Sequence, residues 1–199
     1  MTENRLEPLL EADCVELESE FSRARNVLGF LPASLLTMSR RPGLVRAFSE
    51  LSTQVFMGAD LSADLKDMIA HVTSAAAGCM YCQAHTAAKL KNKGMESEKI
   101  TRVWEFEQSS LFDESERAAL RLARDSAQLP NAVTNEHFSQ LREHYSEDQI
   151  VDIVGIVSLF GFLNRWNDTF ATPLEQEAAT VAETLLAKRG WSIGKHSTK

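Results

Sequence analysis

The chain has 199 residues, 44% hydrophobic and 25% charged, the proportions of a globular domain with a substantial core. A formal charge of −7 leaves no basic surplus to neutralise phosphates, which argues against nucleic acid as the main partner. The N-terminus is too acidic and polar for a signal peptide, and no uninterrupted apolar run is long enough to span a bilayer, so a cytoplasmic chain without a membrane partner is expected.

Apolar positions recur at three and four residues, and the few prolines sit where helices start or loops turn, so an all-α, single-domain fold is expected. An acidic helix is predicted from about Asp13 to Val27, broken by Gly29-Phe30-Leu31-Pro32, and a short one from Ser34 to Met38. Pro42 fits the first position of the next helix, with Leu44, Val45, Phe48, Leu51 and Val55 facing inward until Met57-Gly58-Ala59-Asp60. Ser62 is an N-cap for a helix that runs to the alanines before Gly78 and places Asp67 and His71 on one face. The helix that follows carries Cys79, Cys82 and His85 and stops in Lys91-Asn92-Lys93-Gly94.

Further helices are predicted from Ser97 to Phe106, from Phe112 to Leu129, and after Thr134, whose N-cap pattern lacks the glutamate of a full capping box. Ser146 caps the most hydrophobic segment, Ile150 to Leu163, which is apolar nearly all round and expected to be a buried central helix. Gly155, Ser158 and Gly161 form a small-residue strip along it, and the polar cluster Asn164 to Asp168 follows. A last helix spans Pro173 to Lys188. The expected organisation is an N-terminal helical extension (1–28), a helical domain (29–189) and a flexible tail (190–199).

Three cysteines, an odd number, are not a disulfide framework. Cys14 stands alone and reads as a small hydrophobe on a helix face. Cys79 and Cys82 lie one helical turn apart, so their sulfurs can close a disulfide or share a metal. Both fall at a predicted helix N-terminus, which favours thiolate, and His85 sits on the same face as Cys82. A histidine beside a thiol moves its proton and needs a carboxylate to orient it. Asp67 is the best-placed acid in sequence, and His71 is a second base. The same residues allow an alternative, a Cys₂His₂ zinc site from Cys79, Cys82, His71 and His85 in a non-enzymatic interaction module. His137, His144 and His196 have no nameable partner and read as surface residues.

The stretches Leu61 to Asp67 and Ala76-Ala77-Gly78-Cys79-Met80-Tyr81-Cys82-Gln83-Ala84-His85 resemble the AhpD-like, carboxymuconolactone-decarboxylase-like superfamily, in particular its alkylhydroperoxidase (peroxidase-related) branch. The resemblance extends to Gly29-Phe30-Leu31-Pro32, Arg41-Pro42, Phe112 to Arg117 and Phe160 to Trp166. It implies an all-helical homo-oligomer that reduces hydroperoxides with an external dithiol or redox protein and no bound cofactor. It assigns Cys82 as the attacking thiol and Cys79 as the resolving one; helix-dipole logic alone leans towards Cys79. Three features depart from the family pattern: Asp67 stands where its relay glutamate is expected, His85 is three rather than four residues after the second cysteine, and Tyr81 replaces a histidine. A same-fold protein acting on a small organic substrate without peroxidase activity is the remaining alternative.

Overall fold

In the computed structural model, which describes residues 5–58 and 60–197, the helices are α1 (Glu18–Leu28), α2 (Ala33–Met38), α3 (Pro42–Met57), α4 (Ala63–Ala76), α5 (Met80–Asn92), α6 (Ser97–Thr101), α7 (Glu114–Ser126), α8 (Asn135–Arg142), α9 (Glu147–Phe170) and α10 (Gln176–Leu186). Short 3₁₀ turns complete them, and the described residues contain no strand. The first four positions of the expected N-terminal extension, Ala59 in the expected helix stop, and the last two positions of the expected tail lie outside the described residues.

The local signals place the helix starts. Ser62 Oγ accepts the Leu65 N–H at 3.1 Å, Pro42 opens α3, and Asp113 with Glu116 and Ser146 with Gln149 close capping boxes at α7 and α9. At α8 the glutamate missing from the box is replaced by His137, whose Nδ1 accepts the Thr134 N–H at 3.2 Å while Nε2 meets Asp125 at 2.9 Å. His137 therefore has a structural partner that its sequence position did not disclose.

Two expectations about burial are corrected. The most enclosed helix is α4, with every residue from Leu65 to Ser74 buried between α5, α7 and α9. α9 instead keeps an apolar face in solvent, with Val151 68% exposed and Phe162 39%, because the single chain supplies packing partners for only part of its circumference. α3 behaves similarly: Val45 is buried while Leu44 and Leu51 face outward. The small-residue strip divides likewise: a side chain added at Gly155 would meet Val55, while Gly161 has open space beside it. A second, smaller core forms where Cys14, Leu17 and Phe21 meet Leu35, Met38 and Val45, so Cys14 packs as a small hydrophobe.

α4 and α5 make an antiparallel hairpin, and its turn fixes the position of the thiols. The chain reverses through Gly78 at φ 71°, which lets the Cys79 N–H reach the Ser74 carbonyl at 3.1 Å. Buried polar groups hold the hairpin together. Lys66 Nζ donates to the Phe56 and Gly58 carbonyls at the end of α3 (2.9 and 3.0 Å), a cation on a helix C-terminus. Asp67 is fully buried and binds Lys89 Nζ at 2.7 Å and Lys93 Nζ at 2.6 Å.

His71 bridges to α5 through Nδ1 and Thr86 Oγ1 at 2.7 Å, and burial pushes its pKa down to about 4. The unfolded imidazole titrates near 6.5, so protons favour the unfolded chain. The His71 contribution to stability is fully present above about pH 6.5 and is lost as pH drops towards 4, about 2–3 kcal/mol between pH 7 and pH 4.5. Urea unfolding across that window is expected to show a shallower slope in His71→Gln than in the wild type; equal slopes would remove His71 from the acid response.

Candidate active site

Cys79 is the N-cap of α5 and Cys82 its third residue, so the thiols sit at the end of the helix where free N–H groups point outward. The Cys79 sulfur accepts the Cys82 N–H at 3.5 Å, and both cysteines are free thiols. Cys79 is 0% exposed and Cys82 3%. The hydrogen bond from the Cys82 thiol, opposed by burial, lowers the pKa of Cys79. Burial, reinforced by that same bond, raises Cys82, with the Asn167 amide pulling the other way through Nδ2–H donated to Cys82 Sγ at 3.4 Å. The pair thus releases its first proton as a unit, with the charge resting on Cys79.

His85 follows on the next turn, stacked on Tyr81 with ring centroids 4.2 Å apart and capped edge-on by Phe30 at 5.1 Å. Its carboxylate partner is Glu175, in the segment leading into α10: Nε2 meets Oε2 at 2.5 Å. Glu175 Oε1 accepts Tyr81 O–H at 2.9 Å and the Ala33 N–H at 2.5 Å, so one buried carboxylate ties α2, α5 and the entry to α10 together. Burial raises the Glu175 pKa, but the facing His85 and these hydrogen bonds outweigh it and hold the carboxyl below its usual range. Burial and the Glu175 charge push the Tyr81 phenol well up, keeping it a neutral donor.

The expectation that Asp67 orients His85 is therefore corrected. The antiparallel register of α4 and α5 carries Asp67 to the C-terminal turns of α5, where Lys89 and Lys93 take both its oxygens. Cys79 and Cys82 share one turn and His85 lies on the next, stacked on Tyr81, whereas His71 is engaged with Thr86. The zinc set Cys79, Cys82, His71 and His85 does not converge, since each histidine is tied to a different partner. A cleft of about 680 Å³ runs past Gly78, Met80 and Gln83 to Trp104 and Trp191, and neither Cys79 nor Cys82 lines it.

Three groups around the thiols escaped the sequence analysis. Glu175 lies 90 residues from His85, and Asn167 85 from Cys82. His196, expected in a loose tail, is 1% exposed: the Trp191 indole N–H donates to the Met80 carbonyl at 3.0 Å and the Leu174 N–H to the His196 carbonyl at 2.8 Å, folding residues 190–197 onto the start of α5.

The carboxymuconolactone decarboxylase family model matches residues 42–125, from α3 through α7 and including the thiol pair. The chain is similar, with 33% identity and a TM-score of 0.87 over 90% of its own length and 96% of the other's, to a cysteine-to-alanine variant of the debrominase Bmp8 in complex with 2,3,4-tribromopyrrole. The chain belongs to the AhpD-like, carboxymuconolactone-decarboxylase-like superfamily. It also shares the fold of a peroxidase-related AhpD-core protein from Ralstonia eutropha JMP134, at 24% identity and a TM-score of 0.74 over 86% of this chain and 92% of that one. Among curated relatives, the uncharacterized protein YdfG of Bacillus subtilis (strain 168) is 29% identical over 91 residues, 45% of this chain and 60% of YdfG, so the match spans little more than half of that relative.

Glu175 is expected to act as a positioning residue for His85. Glu175→Gln keeps the size of the side chain but removes its charge, and turnover should fall about 10²-fold with little change in KM. Glu175→Asp should recover part of the loss. An equal loss in both variants, tracking a fall in melting temperature, would make the role purely structural.

Proposed function

We propose that the chain is a thiol-dependent oxidoreductase that reduces a small hydroperoxide with the Cys79–Cys82 pair. The carrying observation is the pair itself: two free thiols on one turn, the Cys79 sulfur accepting the Cys82 N–H, one turn before a histidine fixed by a buried carboxylate. Cys82 passes its proton to the Cys79 thiolate, and its sulfur then attacks the terminal oxygen of ROOH. The O–O bond breaks, Cys82 becomes a sulfenic acid, and the departing alkoxide takes a proton supplied through His85 to leave as ROH. Cys79, again as thiolate, attacks the Cys82 sulfur; hydroxide leaves with a proton as water and the disulfide forms. The two thiols have supplied two electrons and two protons, and an external dithiol restores them by exchange.

A second reading, reductive debromination, is favoured by the debrominase resemblance, which at 33% identity covers 96% of that chain. There the Cys82 thiolate takes bromine from carbon, the carbon gains a proton, and Cys79 displaces bromide as the disulfide closes. Both reactions end in the same disulfide. Mass spectrometry of the reduced protein after one equivalent of alkyl hydroperoxide, or of a bromopyrrole, tests them. Loss of two hydrogens with a Cys79–Cys82 link after hydroperoxide alone supports the first reading. The same product from the bromopyrrole, with stoichiometric bromide released, supports the second. A protein left unchanged by both reagents would refute the dithiol chemistry.

The proposal includes a homo-oligomer. Exposed Val151, Val154 and Phe162 on α9, with Leu51 and Met57 on α3, present an apolar surface suited to another copy of the chain. A monomeric mass by light scattering would refute that part.

A further inference from the structure

Beside the thiols, the C-terminal segment builds a second constellation, of which the redox chemistry uses only Cys79. Cys79 Sγ, a carboxylate oxygen of Asp168 and a ring nitrogen of His196 all lie within 4.8 Å of one another. Among the described residues this is the convergence of three metal-ligating side chains that the fold produces. His196 donates Nδ1–H to the Thr172 carbonyl at 2.8 Å, which leaves Nε2 as a bare lone pair. That nitrogen is buried, has no hydrogen-bond partner, and faces Asp168 Oδ1 at 3.6 Å. Two acceptors directed at each other at that distance repel unless a positive centre stands between them.

The surrounding contacts are those of a supported ligand set. A ligating histidine characteristically gives its other N–H to a backbone carbonyl, as His196 does to Thr172, and a ligating carboxylate is held by a further donor. Lys195 Nζ holds the second oxygen of Asp168 at 2.7 Å, leaving Oδ1 turned towards His196. The Asp168 side chain is 40% exposed, which gives an ion a way in from solvent. We infer that Cys79, Asp168 and His196 form a site for a thiophilic divalent cation, zinc above all, when the thiol pair is reduced. One sulfur, one oxygen and one nitrogen are donors zinc accepts at tetrahedral positions, with a fourth place left for water.

The cation binds Cys79 as the thiolate, forming a sulfur–metal bond, and any thiol form gives up its proton on binding. Oxidation to the Cys79–Cys82 disulfide removes the sulfur donor, so the cation is held by the dithiol form and lost on oxidation. The test is titration of the fully reduced, full-length protein with Zn²⁺ against a chromophoric chelator, and with Co²⁺ to record the thiolate-to-cobalt charge-transfer band. One equivalent per chain is expected. The band should vanish in Cys79→Ser and in disulfide-oxidised protein, and survive in Cys82→Ser. His196→Ala and Asp168→Asn should each weaken binding at least about tenfold, with circular dichroism confirming that each variant is folded. Wild-type affinity in both of those variants, loss of the band in Cys82→Ser, or no uptake by the reduced wild type would overturn the site. Each readout is a binding measurement, so its failure is distinct from a failure of the proposed reductase activity.

Discussion

Cys82→Ser is expected to abolish reduction of the electrophile altogether, while Cys79→Ser should allow one slow event that is never resolved. A serine hydroxyl in a buried site is no nucleophile without a strong base, and the structure holds none at Cys82, where the nearby donor is the Asn167 amide. In Cys79→Ser the attacking sulfur remains, but the thiolate that accepts its proton is gone. With burial raising the Cys82 pKa, the first step should slow by about 10²-fold. The product should be a sulfenic acid at Cys82, detectable by a dione trap and by the gain of one oxygen in the mass spectrum. If the trap instead labels Cys79 in the Cys82→Ser protein, the two roles are reversed, in line with the lower pKa of Cys79.

Asp67→Ala is expected to cost about 3–5 kcal/mol of stability, because it strands a buried ammonium. Lys89 is largely enclosed, and burial lowers its pKa even with the carboxylate present. Its remaining support would be the Phe56 ring, 4.0 Å away. Guanidinium unfolding of Asp67→Ala against the wild type measures the loss, and adding Lys89→Met should restore most of it by removing the stranded charge. A variant with unchanged stability and lost turnover would return Asp67 to the proton relay that its sequence position suggested.

Asp67 shows where sequence reasoning ends. Its spacing from Cys79 matches a family acid, and the four-residue interval put it on the same face of α4 as His71, but its complete burial was not foreseen. Which partner it meets depends on how far α4 and α5 slide past each other. The hairpin register puts it against Lys93, which had read only as part of a helix stop, and against Lys89, which the sequence analysis had not singled out. Glu175 had the opposite fate. It had read as an ordinary residue in the first turn of the last helix and is instead the N-cap of α10, yet it fills the role sought for Asp67.

By itself the sequence determined the features set within a few residues: the helical class, the caps at Ser62, Asp113 and Ser146, the proline at the start of α3, and the shared face of Cys79, Cys82 and His85. Those follow from bonds between near neighbours, whose geometry is the same in any helix. Tertiary structure alone decided that Glu175 orients His85, that Asn167 reaches Cys82, that residues 190–197 bring His196 beside Cys79, and that α9 keeps an apolar face outside. The reason is physical. Burial and ion pairing between residues 80 to 120 positions apart are fixed by which helix faces pack together, and a periodic pattern reports that a face is apolar without naming what covers it.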